Sequence, residues 1–262
     1  MKQARIICII NQKGGVGKST TAEALAEGLT IKGVKTLLID LDPQGSITLS
    51  AGVDRNSSTA YELLIKQVRA EEVIQQQTGR SAVITASKNL ARLDVELTAT
   101  GKEYRLKEQL SPLLSRYDFI IVDTPPALGV LTVNALTAAD SIIIPTQADV
   151  YSLQGIQQLV ETIEAIRAYT NPGLTLAGVL LTRHNNRSVL SRDMAEAASN
   201  TAEQIGTFLY QTVIREAVAL KEAQARQQTI YEYAPKSNAA IDYMAFIDEY
   251  MEWSGNNAKK EL

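Results

Sequence analysis

The sequence predicts an α/β protein: one doubly wound, mostly parallel sheet with helices on both faces. Three observations predict it. The apolar runs at residues 5–10, 119–122 and 141–145 are continuous rather than alternating, as expected of strands buried on both faces. Segments with helical spacing alternate with these runs along the chain. A glycine-rich stretch at 11–21, NQKGGVGKSTT, joins the first run to an Ala/Leu-rich segment, giving strand, glycine loop and helix in that order. No repeat or linker interrupts the pattern, so residues 1–254 are read as one domain and 255–262 as a polar, flexible tail.

Each element has its own signal. The first strand is expected at 5–10. The first helix is expected at 18–31, with Ala22, Leu25, Ala26 and Leu29 on one face and Gly33 ending it. A second strand at 34–40 runs into Asp40 and Asp42. A helix at 57–67 carries Thr59 as its cap. Short strands are expected at 82–85 and 93–97, and a helix at 100–116 with Leu106, Leu110, Leu113 and Leu114 inward. Strands at 119–122, 141–145, 174–182 and 208–214 alternate with helices at 150–169, 188–203 and 215–226. A last helix at 238–253 has Ile241, Met244, Ile247 and Met251 at helical spacing.

The chemistry gathers at the loop. Gly14, Gly15 and Gly17 let the backbone turn sharply and bring its N–H groups to phosphate oxygens, and the following helix adds its positive end. Lys18 is placed to reach β- and γ-phosphates, and the Ser19 hydroxyl to bind Mg²⁺. The loop is not the plain G-x-x-x-x-G-K-[ST] pattern. Gln12 stands where that pattern has glycine, and a second lysine, Lys13, precedes the glycine pair, giving the deviant form K-G-G-x-G-K-[ST]. A P-loop NTPase-like fold is therefore expected, with residues Lys13, Gly14, Gly15, Val16, Gly17, Lys18, Ser19 and Thr20 around the nucleotide. Two carboxylates, Asp40 and Asp42, end the second strand on the ligand side of the sheet. Asp123 ends another apolar strand and has the form of a Walker B aspartate that helps hold Mg²⁺ through water. Thr124, Pro125 and Pro126 stiffen the loop after it, where a γ-phosphate would be sensed.

Composition closes several other doors. With 45% hydrophobic and 21% charged residues, 262 residues can bury a proper core. The net charge of −3 means that any nucleic-acid binding must use a local patch. Cys8 is the single cysteine, so no disulfide can form within the chain, and His184 is the single histidine, which disfavours a His-based metal site. No apolar run reaches membrane-spanning length, and the first ends too soon for a signal peptide; a cytoplasmic protein is expected.

The motifs together resemble the ParA/Soj-type partition ATPases, within the deviant-Walker-A group that includes the MinD-like ATPases. The matching stretches are 13–20 (KGGVGKST), 38–45 (LIDLDPQG), 118–126 (DFIIVDTPP) and 145–155 (PTQADVYSLQG), in the family's order across most of the chain. The stretch resembles the family's short form, without the N-terminal helix-turn-helix extension of some plasmid relatives. The resemblance implies ATP and Mg²⁺ as ligands. It implies a nucleotide-sandwich homodimer in which Lys13 reaches the partner's phosphates, Asp42 positions the attacking water and Asp40 supports a metal site made with Ser19 and Asp123. It also implies weak basal hydrolysis, DNA binding without sequence preference, nucleoid association, and a ParB-like centromere-binding protein that stimulates hydrolysis.

The chain departs from the family pattern at Asp149 and Gln154, where glutamate is common, and at 214–217, where Ile-Arg-Glu-Ala replaces a Pro-Arg-Asn loop near the adenine. For DNA, the best candidates are Lys221, Arg226 and Lys236, then Arg215; Arg183, Arg187 and Arg192 lie in the same third of the chain. A MinD-like membrane-cycling ATPase is the alternative, but the last helix carries Asp242, Asp248, Glu249 and Glu252, which anionic lipid would repel. A nitrogenase-reductase-like protein would need more cysteines. A nucleotide-gated adaptor with incidental hydrolysis differs from a working ATPase in whether a partner raises turnover.

Overall fold

The structure is a computed structural model that describes residues 3–54, 56–184 and 189–258. Seven strands form its sheet: β1 (Arg5–Ile9), β2 (Thr36–Asp40), β3 (Ile74–Gln75), β4 (Ala82–Ile84), β5 (Phe119–Asp123), β6 (Ser141–Thr146) and β7 (Thr175–Leu181). Their order is β3-β4-β2-β5-β1-β6-β7, and every pairing is parallel except β3 with β4. β1 lies inside the sheet with later strands on both sides, so the chain is wound in both directions. The loops leaving β1, β2 and β5 meet at the carboxyl edge, where such sheets bind ligands.

Among the described residues, the helices of eight residues or more are α1 (Lys18–Ile31), α2 (Val130–Ala138), α3 (Val150–Tyr169), α4 (Val189–Gln204), α5 (Val218–Ala225) and α6 (Asn238–Ala258). Strand side chains alternate between the two faces. Ile6, Cys8, Ile39, Ile120 and Val122 pack with Leu131 and Ala135 of α2 and with Ile156, Leu159 and Ile163 of α3. Ile7, Ile9, Leu38 and Ile121 pack with Leu25 and Leu29 of α1 and with Tyr243, Phe246 and Ile247 of α6. The apolar stripe of α6 is therefore core. α1 and α6 approach closely at Gly28, where a Cβ would run into Ile247 and the Tyr231 hydroxyl. Emptying the Phe246 site in this layer would cost about 3–5 kcal/mol.

The sequence expectations hold for the strands of the central sheet and for α1, α3 and α4. Several others are corrected. Residues 208–214 form no strand; the region meets β7 at the bridge Val179 to Leu209 and through Ile214 N–H to the Leu181 carbonyl at 2.8 Å, with a second bridge just beyond β7, His184 to Arg215. Residues 93–97 contain the short helix Leu93–Glu96 rather than a strand. The helix expected at 100–116 is broken into Lys102–Tyr104, Arg105–Leu110 and Ser111–Leu113, with Pro112 in the last turn. The helix expected at 57–67 is only Ala60–Leu64, with Thr59 as its cap as expected. The helix expected at 215–226 begins at Val218. α2, β3 and the short helices Ser46–Ser50 and Ala70–Val73 have no counterpart in the sequence reading. α6 continues to Ala258, into the segment expected as tail; residues 259–262 lie outside the described residues.

Candidate nucleotide site

The glycine loop is built as its composition requires. Gly15 and Gly17 have φ of 76° and 88°, a left-handed backbone that a side chain would strain. Its carbonyls are tied back into the protein. Thr182 Oγ1 donates to the Val16 carbonyl at 2.7 Å, and Arg183 and Gln147 donate to that of Gly15 at 3.2 and 3.3 Å. Asn11 anchors the loop's entry: its amide donates to the Pro145 carbonyl at 2.8 Å and its oxygen accepts from Lys13 N–H at 2.9 Å. Among the described residues, the N–H groups of Gly14, Gly15, Val16 and Gly17 donate to nothing. A loop whose carbonyls face inward and whose N–H groups are unspent is an anion cradle. Sequence reasoning missed Thr182, Arg183 and Gln147, because nothing local marks side chains that serve a loop more than a hundred residues away.

Beneath the cradle lie a buried lysine and three acids. Lys18 is 6% exposed, and its Nζ donates to the Lys13 carbonyl at 3.3 Å. Burial lowers its pKa, while the charges of Asp123 and Asp42 act the other way. Asp40 and Asp123 stand side by side in the register of β2 and β5, both fully buried. Asp40 accepts from Asp42 N–H at 3.1 Å, Thr48 N–H at 2.9 Å and Thr48 Oγ1 at 2.8 Å. Burial still raises its pKa to about 6, against the pull of the Thr48 bonds. Asp123 has neither oxygen in a hydrogen bond. Burial, then the neighbouring Asp40 charge, push its pKa well up; Ser19 stands near enough to favour the ionised form, without bonding geometry. Asp42 accepts from Gln44 N–H at 2.9 Å and is nearly buried at the loop's edge.

Lys13 does not point at this cradle. Its Nζ donates to Asp149 Oδ1 and Oδ2 at 2.9 and 2.8 Å and to Ser152 Oγ at 3.1 Å. Asp149 caps α3 by accepting from Ser152 N–H at 3.0 Å. Partial burial pushes the Asp149 carboxyl up, but the Lys13 and Ser152 bonds outweigh it and hold the group below the usual range.

A cavity of about 150 Å³ opens from the loop. Its walls are Gly15, Gly17 and Thr20, then Thr182–Arg183, then 214–217, and then Leu220, Lys221 and Gln224 of α5 with Tyr243 of α6. A nucleotide with its phosphates on the loop would place its base here. The segment read as the altered base loop does line this cavity, but its polar groups are already engaged. Arg215 is bound to Asp242 through its guanidinium, with Nε at 2.9 Å, and Glu216 is paired with Arg183 at 2.9 Å. Gln224 reaches Thr20 Oγ1 at 3.5 Å.

The candidate DNA residues scatter. Arg215 belongs to the cavity wall through Asp242, and Lys221, though exposed, lines the same cavity. Arg226, exposed at the end of α5, stacks its guanidinium 5.3 Å from the Tyr233 ring centre, and Lys236 is exposed before α6. Arg183 serves the loop. Arg187, and the side chains of Arg192 and Gln154, lie outside the described residues.

No cluster of three or more His, Cys, Asp or Glu among the described residues could hold a metal alone. The donor set fits Mg²⁺ shared with phosphate oxygens instead. The Ser19 hydroxyl would be one donor, and the buried carboxylate of Asp123, with neither oxygen in a hydrogen bond, would be the second.

Fold and site together define a P-loop nucleotide-binding protein with a deviant loop. Comparison with known proteins narrows the class. An AAA domain family model matches residues 4–176. The chain is 38% identical over 255 residues to the chromosome partitioning protein ParA of Myxococcus xanthus, covering 95% of this chain and 88% of that one. It is 38% identical over 249 residues to the sporulation initiation inhibitor protein Soj of Bacillus subtilis, covering 94% and 97%. Among solved structures, cobyrinic acid a,c-diamide synthase of Mycobacterium smegmatis with bound ATP analog and magnesium superposes with a TM-score of 0.81 at 33% identity, covering 94% and 93%. The chain belongs to the ParA/Soj family of AAA-domain ATPases.

Proposed function

We propose that this protein is a DNA partition ATPase: Mg²⁺-ATP pairs two copies, the pair binds DNA without sequence preference, and hydrolysis stimulated by a centromere-binding partner resets it. The observation that carries the reading is Asp123. A carboxylate buried without a donor is costly unless something positive completes it, and it lies beside Ser19 under an anion cradle. The names of the Myxococcus and Bacillus relatives support the partition role, and the ligands in the Mycobacterium structure support ATP and magnesium.

In this reading the loop N–H groups and Lys18 hold the phosphates. Asp42, at the mouth of the site, orients the attacking water. Ser19 and Asp123 would hold Mg²⁺, which would supply charge neutralisation at the phosphates. Leu220, Ala217 and Tyr243 supply the apolar faces of the base cavity. The exposed cations Lys221, Arg226 and Lys236 are the DNA contacts of the proposal, although Lys221 also borders the nucleotide.

The test is a set of three variants. Lys18→Ala should lose ATP binding in calorimetry. Asp42→Ala should bind ATP, double its mass in light scattering and turn over very slowly. The triple variant at Lys221, Arg226 and Lys236 should lower the slope of log affinity for DNA against log salt by about 1 per lost contact. Wild-type ATP affinity in Lys18→Ala would overturn the nucleotide site, and an unchanged salt slope in the triple variant would remove those residues from DNA.

A further inference from the structure

The geometry points to Asp149 as a positioning residue that, with Ser152, holds Lys13 inside its own subunit and must release it before two copies can pair. The inference rests on the proposed ATP-driven pairing of two copies, together with the resemblance's expectation that Lys13 serves the facing subunit. An ammonium has three N–H donors. Those of Lys13 have three acceptors within 3.1 Å, and all belong to the first turn of α3 in the same chain: two oxygens of Asp149 and one of Ser152. The base of the side chain is fixed as well, because Lys13 N–H is bonded to Asn11 and Asn11 to the Pro145 carbonyl. Lys13 so held has no donor left for a phosphate of another subunit.

The hold is built to be released. Lys13 and Asp149 side chains are about a third exposed, at 33% and 34%, so the pair is screened and weak. Asp149 loses little when Lys13 leaves, since its bonds from Ser152 N–H and Oγ at 3.0 and 2.8 Å remain. Val150 and Tyr151, beside the pair, are 57% and 78% exposed. A facing subunit could therefore approach the same helix end while its phosphates draw Lys13 away. Phosphates carry more charge than one carboxylate and would win the lysine only when nucleotide is present. The pair thus opposes association of nucleotide-free copies.

The decisive variant is Asp149→Asn, which keeps an oxygen to cap α3 and removes the charge. In the nucleotide-free protein, an amine-reactive reagent followed by peptide mass spectrometry reads how free Lys13 is. Light scattering across an ATP titration reads pairing. Asp149→Asn should raise Lys13 labelling. It should also strengthen pairing: two such ion pairs break per dimer, each worth up to about fivefold, so the shift is up to about 25-fold. Asp149→Glu should return both readings toward wild type, which a purely structural role for Asp149 would not produce. Ser152→Ala, which keeps the charge, should shift both readings less.

Unchanged labelling in Asp149→Asn, with its fold intact by circular dichroism, overturns the hold. Raised labelling with weaker pairing overturns the competition, and would mean that Asp149 presents Lys13 rather than restraining it. A wild type that never pairs with ATP would instead sink the proposed dimer, while the labelling result still decides whether Asp149 holds Lys13.

Discussion

Asp40 and Asp123 end adjacent parallel strands, face each other in register and are equally buried, yet their surroundings are opposite. Asp40 accepts three protein hydrogen bonds and Asp123 accepts none. Two of the Asp40 bonds come from Thr48, eight residues on, and the third from the N–H of Asp42. Asp40 is thus the knot that folds 40–48 back on the sheet and aims Asp42 at the loop. Asp123 has no such structural use. Under the proposed function, the difference separates a carboxylate that serves the fold from one kept for a ligand, and Asp40 supports the metal site rather than binding the ion.

The comparison breaks most sharply on paired amide variants. Asp123→Asn should lower Mg²⁺-dependent ATP turnover by about 10²-fold or more, because it removes charge aimed at the reacting phosphates. The same change should raise the melting temperature of the nucleotide-free protein by about 2–4 °C, since it removes a carboxylate whose burial cost the nearby Lys18 charge only partly offsets, worth about 1 kcal/mol or more. Asp40→Asn should act in the other direction on stability. It turns donors toward an amide that can satisfy only part of them, costing about 3 kcal/mol and about 6–12 °C. Melting curves and steady-state turnover on both variants check this. A loss of stability in Asp123→Asn equal to that in Asp40→Asn would erase the distinction.

The two acids also set a pH dependence. Asp40, at about 6, binds its proton more tightly in the folded chain than in the unfolded one. Glu23 of α1 does the same: burial raises it to about 7, against the bond from Ser50. Such groups contribute stability that is complete below the ordinary carboxylate range and is lost as pH rises through the raised values. Asp123 works in the same sense. Asp149, whose pKa is lowered, works in the opposite sense but is partly exposed. The nucleotide-free protein should therefore melt higher at pH 5.5 than at pH 7.5, and Asp123→Asn should reduce that gain. A melting temperature that falls on acidification through this window would contradict the assignment of buried, ligand-waiting charge.

Much of this arrangement was legible in the sequence, and the limits have physical causes. Parallel strands buried on both faces leave continuous apolar runs, so the β1, β2, β5 and β6 strands could be read directly, as could the loop and the acids at their ends. α2 was missed because Val130, Leu131, Ala135, Leu136 and Ala138 are buried on nearly every side, which erases helical periodicity. Residues 208–214 have strand composition, but Tyr210 is spent on packing under Gly178, with its hydroxyl on the Ala177 carbonyl, and the segment meets the edge strand at isolated points without forming a continuous ladder. Within the site, residue type revealed Lys18 and Asp123. It could not reveal that Asp40 is saturated, that Lys13 is held by a residue 136 positions away, or that Arg215 is neutralised by Asp242. Those are partners brought together by folding, and no local pattern encodes them.

The smallest effect concerns Thr48, the side chain that makes Asp40 differ from Asp123. Thr48 Oγ1 donates to Asp40 at 2.8 Å and accepts from Ala86 N–H at 2.8 Å, so one hydroxyl joins the loop after β2 to the end of β4. Thr48→Val keeps the shape and the Thr48 N–H bond to Asp40 but leaves the buried Ala86 N–H without an acceptor. The expected cost is about 2 kcal/mol, or about 4–8 °C, below that of Asp40→Asn. ATP affinity should stay near wild type because no phosphate contact is lost, whereas turnover should fall modestly as Asp42 loses its fixed position. Thr48→Ser restores the hydroxyl and should recover most of both losses. Combining Thr48→Val with Asp40→Asn should cost less than the sum of the two, because they remove the same bond. Strict additivity would show that Thr48 acts on stability independently of Asp40, and the knot at 40–48 would have to be assigned to the Asp42 N–H bond alone.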